Sequence, residues 1–284
     1  MQKPDGRVTR GTTGVNRLRR VDRWIAAQAA ARVPGALVVD LGYGASATTS
    51  LELQGRLARA NAGVEVLGLE IDPARVAGAT AQLALARAAG PARYGRAIAA
   101  DARVSFARGG FEVPAPRRPH VIRAMNVLRQ YDEHEVAGHW ATMLGRLAPG
   151  GLLVEGTSNE VGRVCAWVAL DASADRRPQP RSLTIALKVD ELGTDAMPAP
   201  SVVAERLPKA LIHRNVPGER VHSLLGDLDR AWASDAPLAD FGAVQRWQST
   251  VRRMRRAGWP VAGGPARSRL GELTVAWSAV APRA

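Results

Sequence analysis

The chain has 284 residues, 46% of them hydrophobic and 23% charged, with a formal net charge of +13. That length and composition predict one large folded domain, or one domain with an appended subdomain, and no apolar run reaches the roughly 18 residues of a membrane span. The single cysteine, Cys165, excludes an intrachain disulfide and a cysteine zinc cluster.

Together with a polar amino terminus that lacks an apolar signal-peptide stretch, this predicts a cytoplasmic protein. The basic residues are nearly all arginine, the lysines being Lys3, Lys188 and Lys209. Two origins of the charge stay open: a surface for nucleic acid, or the solvated surface of a chain written in GC-rich codons.

Residues 1–16 are polar and predict an arm. Residues 16–32 place Leu18, Val21, Trp24 and Ile25 at helical spacing. Pro34-Gly35 stops that helix, and ALVVDL (36–41) reads as a strand buried on both faces. A helix over 48–61, a strand over 64–70 and a helix over 73–89 follow, the last with proline in its first turn. A weaker strand is expected over 94–99, then a strand over 120–126, a helix over 132–147 and a strand over 152–155. Strands alternating with helices predict an α/β fold with a mostly parallel sheet and helices on both faces.

The second half is less regular. Residues 163–171 and 182–190 read as a hairpin pair, 201–233 as helical with a break at Pro217-Gly218, 243–256 as a basic helix, and 273–281 as a closing strand. The expected organisation is an arm and helix over 1–35, a ligand-binding core over 36–160, and a carboxy-terminal half over 161–284.

The first strand ends in Asp40-Leu41-Gly42-Tyr43-Gly44 and the second in Glu70. In an open parallel sheet, ligands sit beyond the carboxyl ends of the strands. Glycines there let the backbone approach a ligand, and a carboxylate accepts from a pair of ribose hydroxyls. Gly42, Gly44 and Ala47 also fit the dinucleotide fingerprint, but Glu70 stands 28 residues after Gly42, against a usual spacing of about 20. A nicotinamide dehydrogenase is therefore the outside alternative.

Five stretches occur together in one order: Asp40–Gly44, LGLEIDPARV (67–76), Ala99-Ala100-Asp101-Ala102, HVIRAMNVLRQYDEHEV (120–136) and LAPGGLLVEG (147–156). In this the chain resembles the class I S-adenosylmethionine-dependent methyltransferases. It departs from their pattern at Ser46, where a third glycine is usual, and at Pro119-His120, where an acid often stands.

The resemblance implies a Rossmann-like, doubly wound, seven-stranded-type sheet with an elaborated carboxy-terminal half. It implies S-adenosylmethionine as cofactor, held by Asp40, Gly42, Tyr43, Gly44, Glu70, Ile71, Asp101, Ala102 and Asn126. Asp40 and Glu70 are expected to face one hollow and pin a cationic nucleoside there. Methyl transfer needs alignment more than acid–base help, so the catalytic candidates are only Asn126, Tyr131 and His134. Arg123, inside a buried strand, needs an acidic partner, with Asp101 or Glu155 in reach of expectation.

No metal site is expected, because histidines and carboxylates show no ligand spacing. The acceptor is expected to be a small molecule. One alternative is RNA, met by the basic arm and by Arg252, Arg253, Arg255 and Arg256 between Trp247 and Trp259. Another is a non-catalytic protein with the same fold. Residues 206–222 read either as a lid or as a surface helix–loop–helix.

Overall fold

The computed structural model describes residues 4–9, 11, 14–89, 102–172 and 179–283. They fall into two compact units. The first takes Met1–Glu155, Glu160–Gly162 and Leu170–Gln179; the second takes Gly156–Asn159, Arg163–Ala169 and Pro180–Ala284.

In the first unit, helix α1 (Arg19–Ala26) buries Val21, Trp24 and Ile25, as their spacing demands. The single helix expected over 16–32 is instead broken. The Ala27 and Gln28 amides close tight three-residue bonds onto Trp24 and Ile25, Gln28 turns extended, and a short α2 (Ala29–Arg32) follows. Strand β1 (Leu37–Leu41) is buried along its whole length. Helix α3 (Thr48–Leu57) stops four residues before its expected end. Strand β2 (Glu65–Glu70) and helix α4 (Pro73–Ala89) come next.

The strand expected over 94–99 lies outside the described residues, as does Asp101. The third strand that is seen, β3 (Val104–Arg108), runs parallel to β2, from Val66 opposite Val104 to Glu70 opposite Arg108. Strand β4 (Val121–Met125) pairs parallel to β1, with Asp40 opposite Arg123. The chain then takes a tight turn (Glu133–Glu135), capped reciprocally by Asp132 and Glu135, into α5 (Val136–Leu144). Strand β5 (Leu152–Ser158) follows.

The strand order is β3-β2-β1-β4-β5, with β1 parallel to β2 and β4. This is a doubly wound α/β arrangement. The chain moves outward from β1 to β3, then returns to place β4 on the other side of β1. That reversal opens a crevice above the carboxyl end of β1.

In the second unit the hairpin strands are β6 (Val164–Asp171) and β7 (Pro180–Leu187). Helices α6 (Lys209–Ile212), α7 (Arg220–Ser234) and α8 (Ala243–Arg256) follow, then a short β8 (Val261–Ala262), α9 (Pro265–Ser268) and β9 (Glu272–Ala276). The strand order here is β6-β7-β9-β8, with β9 antiparallel to β7 and β8. The described strands thus number nine. That is two more than the seven implied, one of them the two-residue β8, too short to be legible as a periodic run.

Candidate functional site

The turn after β1 is shaped by backbone needs. Gly42 and Gly44 have φ of 67° and 91°, a region that side chains other than glycine rarely enter. A Cβ on Gly42 would also lie 2.8 Å from Val127 Cγ2. Tyr43 is buried edge-on against Phe106 at 5.0 Å, so it anchors the turn in the core. Burial, and then the nearby Glu70 and Asp40 charges, push its phenol far up, so it stays neutral.

Asp40 does not face the crevice. Its position opposite Arg123 in the β1–β4 ladder puts both side chains on one face of the sheet. Arg123 Nη2 lies 2.6 Å from Asp40 Oδ2, and its Nε donates to Oδ1 at 3.0 Å. Ser50 and Thr49 hydroxyls, on α3, donate to Oδ2 at 2.8 and 3.2 Å. Arg123 also pairs with Asp22 of α1, and Arg56 donates to Asp22 at 2.6 Å. Burial works against the Arg123 charge, but Asp40 and Asp22 outweigh it and hold the guanidinium charged. The partners of Arg123 are therefore Asp22 and Asp40, not Glu155. This buried cluster ties α1, β1, α3 and β4 together beneath the glycine turn.

Glu70 does face the crevice. It is 1% exposed, yet it lines the hollow with Leu41, Gly42, Ile71, Val127 and Tyr131. Its Oε1 accepts from the Ile71 amide at 2.9 Å and its Oε2 from the Gly44 amide at 3.2 Å. Arg75, in the first turn of α4, stands 3.5 Å from Oε2. Ala102 is buried on the approach to β3, and its carbonyl accepts from Arg87 at 2.9 Å.

At the end of β4, Asn126 sits at φ 62°, where asparagine is among the few tolerated side chains. Tyr131 lines the hollow and Phe111 meets it edge-on at 5.3 Å. His139 of α5 stacks on Phe111 at 3.9 Å, and burial lowers its pKa, so it is a neutral ring. Burial raises the Tyr131 phenol. His134 is exposed on its turn and is not among the lining residues. Phe111, Arg75 and His139 were not legible as site residues. Arg75 stands within the LGLEIDPARV stretch but no role was expected of it, no motif marks Phe111 or His139, and only the register of β3, the turn of α4 and the placing of α5 bring the three here.

The arm was also underread. Asp5, Arg7 and Thr9 line the same hollow. In the second unit, Trp247 is fully buried and the half-buried Trp259 donates its indole N–H to Asp227 at 2.9 Å, so these rings are not laid open for stacking bases. Among the described residues no group of histidine, cysteine and carboxylate side chains could hold a metal ion, and no helix is long and apolar enough to cross a membrane.

No family model and no curated protein matches the chain. Solved structures match about half of it. Magnesium protoporphyrin IX methyltransferase from Synechocystis PCC 6803, with bound S-adenosylmethionine, is 19% identical, with a TM-score of 0.36, over 49% of this chain and 56% of that one. The [4+2]-cyclase SpnF is 23% identical, with a TM-score of 0.33, over 49% and 44%. Mitomycin 7-O-methyltransferase MmcR is 24% identical, with a TM-score of 0.32, over 48% and 36%. The chain spans less than two thirds of the length of each of these proteins.

Proposed function

We propose that this chain is a class I S-adenosylmethionine-dependent methyltransferase with a small-molecule acceptor. The observation that supports it most is Glu70, a buried carboxylate at the tip of β2 that lines the hollow beside the glycine turn. A carboxylate has about four acceptor directions. Two backbone amides and the more distant Arg75 use three of them. A ribose diol takes the remaining direction and displaces the long Arg75 contact.

The other residues fit the same ligand. Gly42 carries no Cβ, so the backbone can be approached closely, and Leu41, Ile71 and Val127 give apolar walls. Asp101 and Ala102 take the adenine end. Asp40 acts from below, holding the turn through α3 and Arg123 rather than touching the cofactor. Bound S-adenosylmethionine supplies a methyl group on a sulfonium that is already activated. The chain's own task is to orient the acceptor and exclude water. Phe111 and Tyr131 form an aromatic wall suited to a compact apolar acceptor. His134 has no part, and no general base is needed.

Calorimetry with S-adenosylmethionine, S-adenosylhomocysteine and NAD tests this. Both sulfur ligands should bind and NAD should not. Glu70→Ala should weaken the sulfur ligands roughly 10- to 100-fold, the worth of hydrogen bonds to a charged group. Preference for NAD would sink the assignment. Tight binding with no demethylated product from any extract would make the protein non-catalytic.

A further inference from the structure

We propose that residues 4–9 are a built-in competitor of the cofactor: the amino-terminal segment lies in the nucleoside crevice and must leave before the ligand enters. This rests on the crevice being the cofactor site.

The segment shares one hollow with Gly42, Glu70 and Ile71, and it is held there by the acceptor wall, its neighbours and Arg75. The Phe111 amide donates to the Asp5 carbonyl at 2.9 Å, and the Asp5 amide donates to Glu112 at 2.8 Å. The Arg7 amide donates to the Tyr131 hydroxyl, and Gln130 Nε2 donates to the Arg7 carbonyl at 3.1 Å. Arg75 donates to the Thr9 carbonyl at 2.9 Å and to its hydroxyl at 3.1 Å.

Two glycines show how close the fit is. Gly6 has φ 130°, and a Cβ there would stand 3.0 Å from Ile71 Cδ1, 3.1 Å from the Tyr131 hydroxyl and 3.4 Å from the Phe111 ring. A Cβ on Gly42 would meet Thr9 Cγ2 at 3.4 Å. With the segment seated, the room left in the hollow is about 10 Å³, space for a single water and not for a nucleoside.

Arg75 is the switch contact. The same guanidinium grips Thr9 and stands 3.5 Å from Glu70. A ribose on Glu70 displaces that side chain and loosens the segment. A seated segment keeps Arg75 over Glu70. The apparent ligand affinity is then the intrinsic one reduced by the fraction of chains with the segment out.

The test compares full-length wild type with Gly6→Val, whose side chain cannot be seated at that φ and spacing. S-adenosylhomocysteine should bind the variant about tenfold more tightly. Saturating ligand should also speed tryptic cleavage after Arg7 in wild type. Equal affinities with unchanged cleavage would overturn the competition and leave the cofactor site standing. Weaker binding by the variant, with ligand protecting Arg7, would overturn it in favour of a cover that closes on the ligand. Binding by neither protein would overturn the cofactor site and the competition with it. Should Gly6→Val not fold, Arg7→Ala removes the donor to the Gln130 carbonyl and the contact with the Tyr131 face, and is read the same way with a smaller, few-fold gain.

Discussion

Glu155, on β5, is buried, and neither carboxylate oxygen accepts a fully formed hydrogen bond. Burial pushes it up to about 8, with the Trp140 indole pulling the other way. A carboxyl raised in the folded state is protonated there while the unfolded chain has already ionised. The contribution of Glu155 to stability is therefore fully present below the ordinary carboxyl value of 4.5 and is lost as pH rises towards about 8. Glu155→Gln should remove that part of the slope and raise stability above pH 8 by on the order of 5 kcal/mol in urea unfolding; an unchanged pH profile would refute it. Arg123 calls for the opposite substitution logic. Arg123→Met strands the Asp22 and Asp40 carboxylates in the core, and should cost about 3–5 kcal/mol by the same measurement. That Arg123 needs an acid was legible, since an arginine inside an apolar strand cannot stay unpaired. Which acid was not, because the choice depends on the β1–β4 register and on where α1 lands.

Among the elements, β2 carries a tight fit that bears on the site. Gly68 lies opposite Phe106 in the parallel ladder, and a Cβ on it would come 2.5 Å from the Phe106 ring and 2.9 Å from Tyr43. Gly68→Ala should therefore push Phe106 off Tyr43 and loosen the glycine turn. We expect about 1–3 kcal/mol lost in thermal or urea unfolding, with weakened cofactor binding alongside; full affinity in a destabilised variant would show that the Tyr43–Phe106 contact does not support the turn. The strands and helices with strong apolar patterns, such as β1, β2, α4, β4 and α8, were legible because burial alone decides them. The less regular pieces were not. The stop at Gln28 is set by local bonds to Trp24 and Ile25, and β3 (VSFAR) is half-exposed, with little apolar run to mark it. Asp40 and Glu70 read alike as acids at strand ends, yet their neighbours divide them. Glu70 meets two backbone amides at the tip, whereas Asp40, one residue short of its strand's end, falls opposite an arginine. The arm carried no periodic signal at all, and its place follows from single hydrogen bonds.

For the molecule as a whole, a net charge of +13 has to be weighed against where the arginines are spent. Arg123, Arg56, Arg75 and Arg267 sit on carboxylates within the fold, and Arg253 is 2.7 Å from Asp235. On α8 that leaves Arg252 and Arg256 exposed, while Arg255 is turned onto backbone carbonyls. With Trp247 in the core and the Trp259 N–H on Asp227, the helix offers charge without stacking platforms. Polyanion binding of that kind is weak, indifferent to sequence and lost as salt is raised, since each phosphate contact contributes a slope of about 0.7 in log affinity against log salt for a single strand. A fluorescent single-stranded RNA should thus bind only at low salt. The double substitution Arg252→Ser with Arg256→Ser should lower the slope by roughly 1.4, while S-adenosylhomocysteine affinity stays as in wild type. Binding that survives physiological salt and prefers one sequence would instead make RNA the acceptor, because only base-reading contacts persist once the counterion contribution is gone.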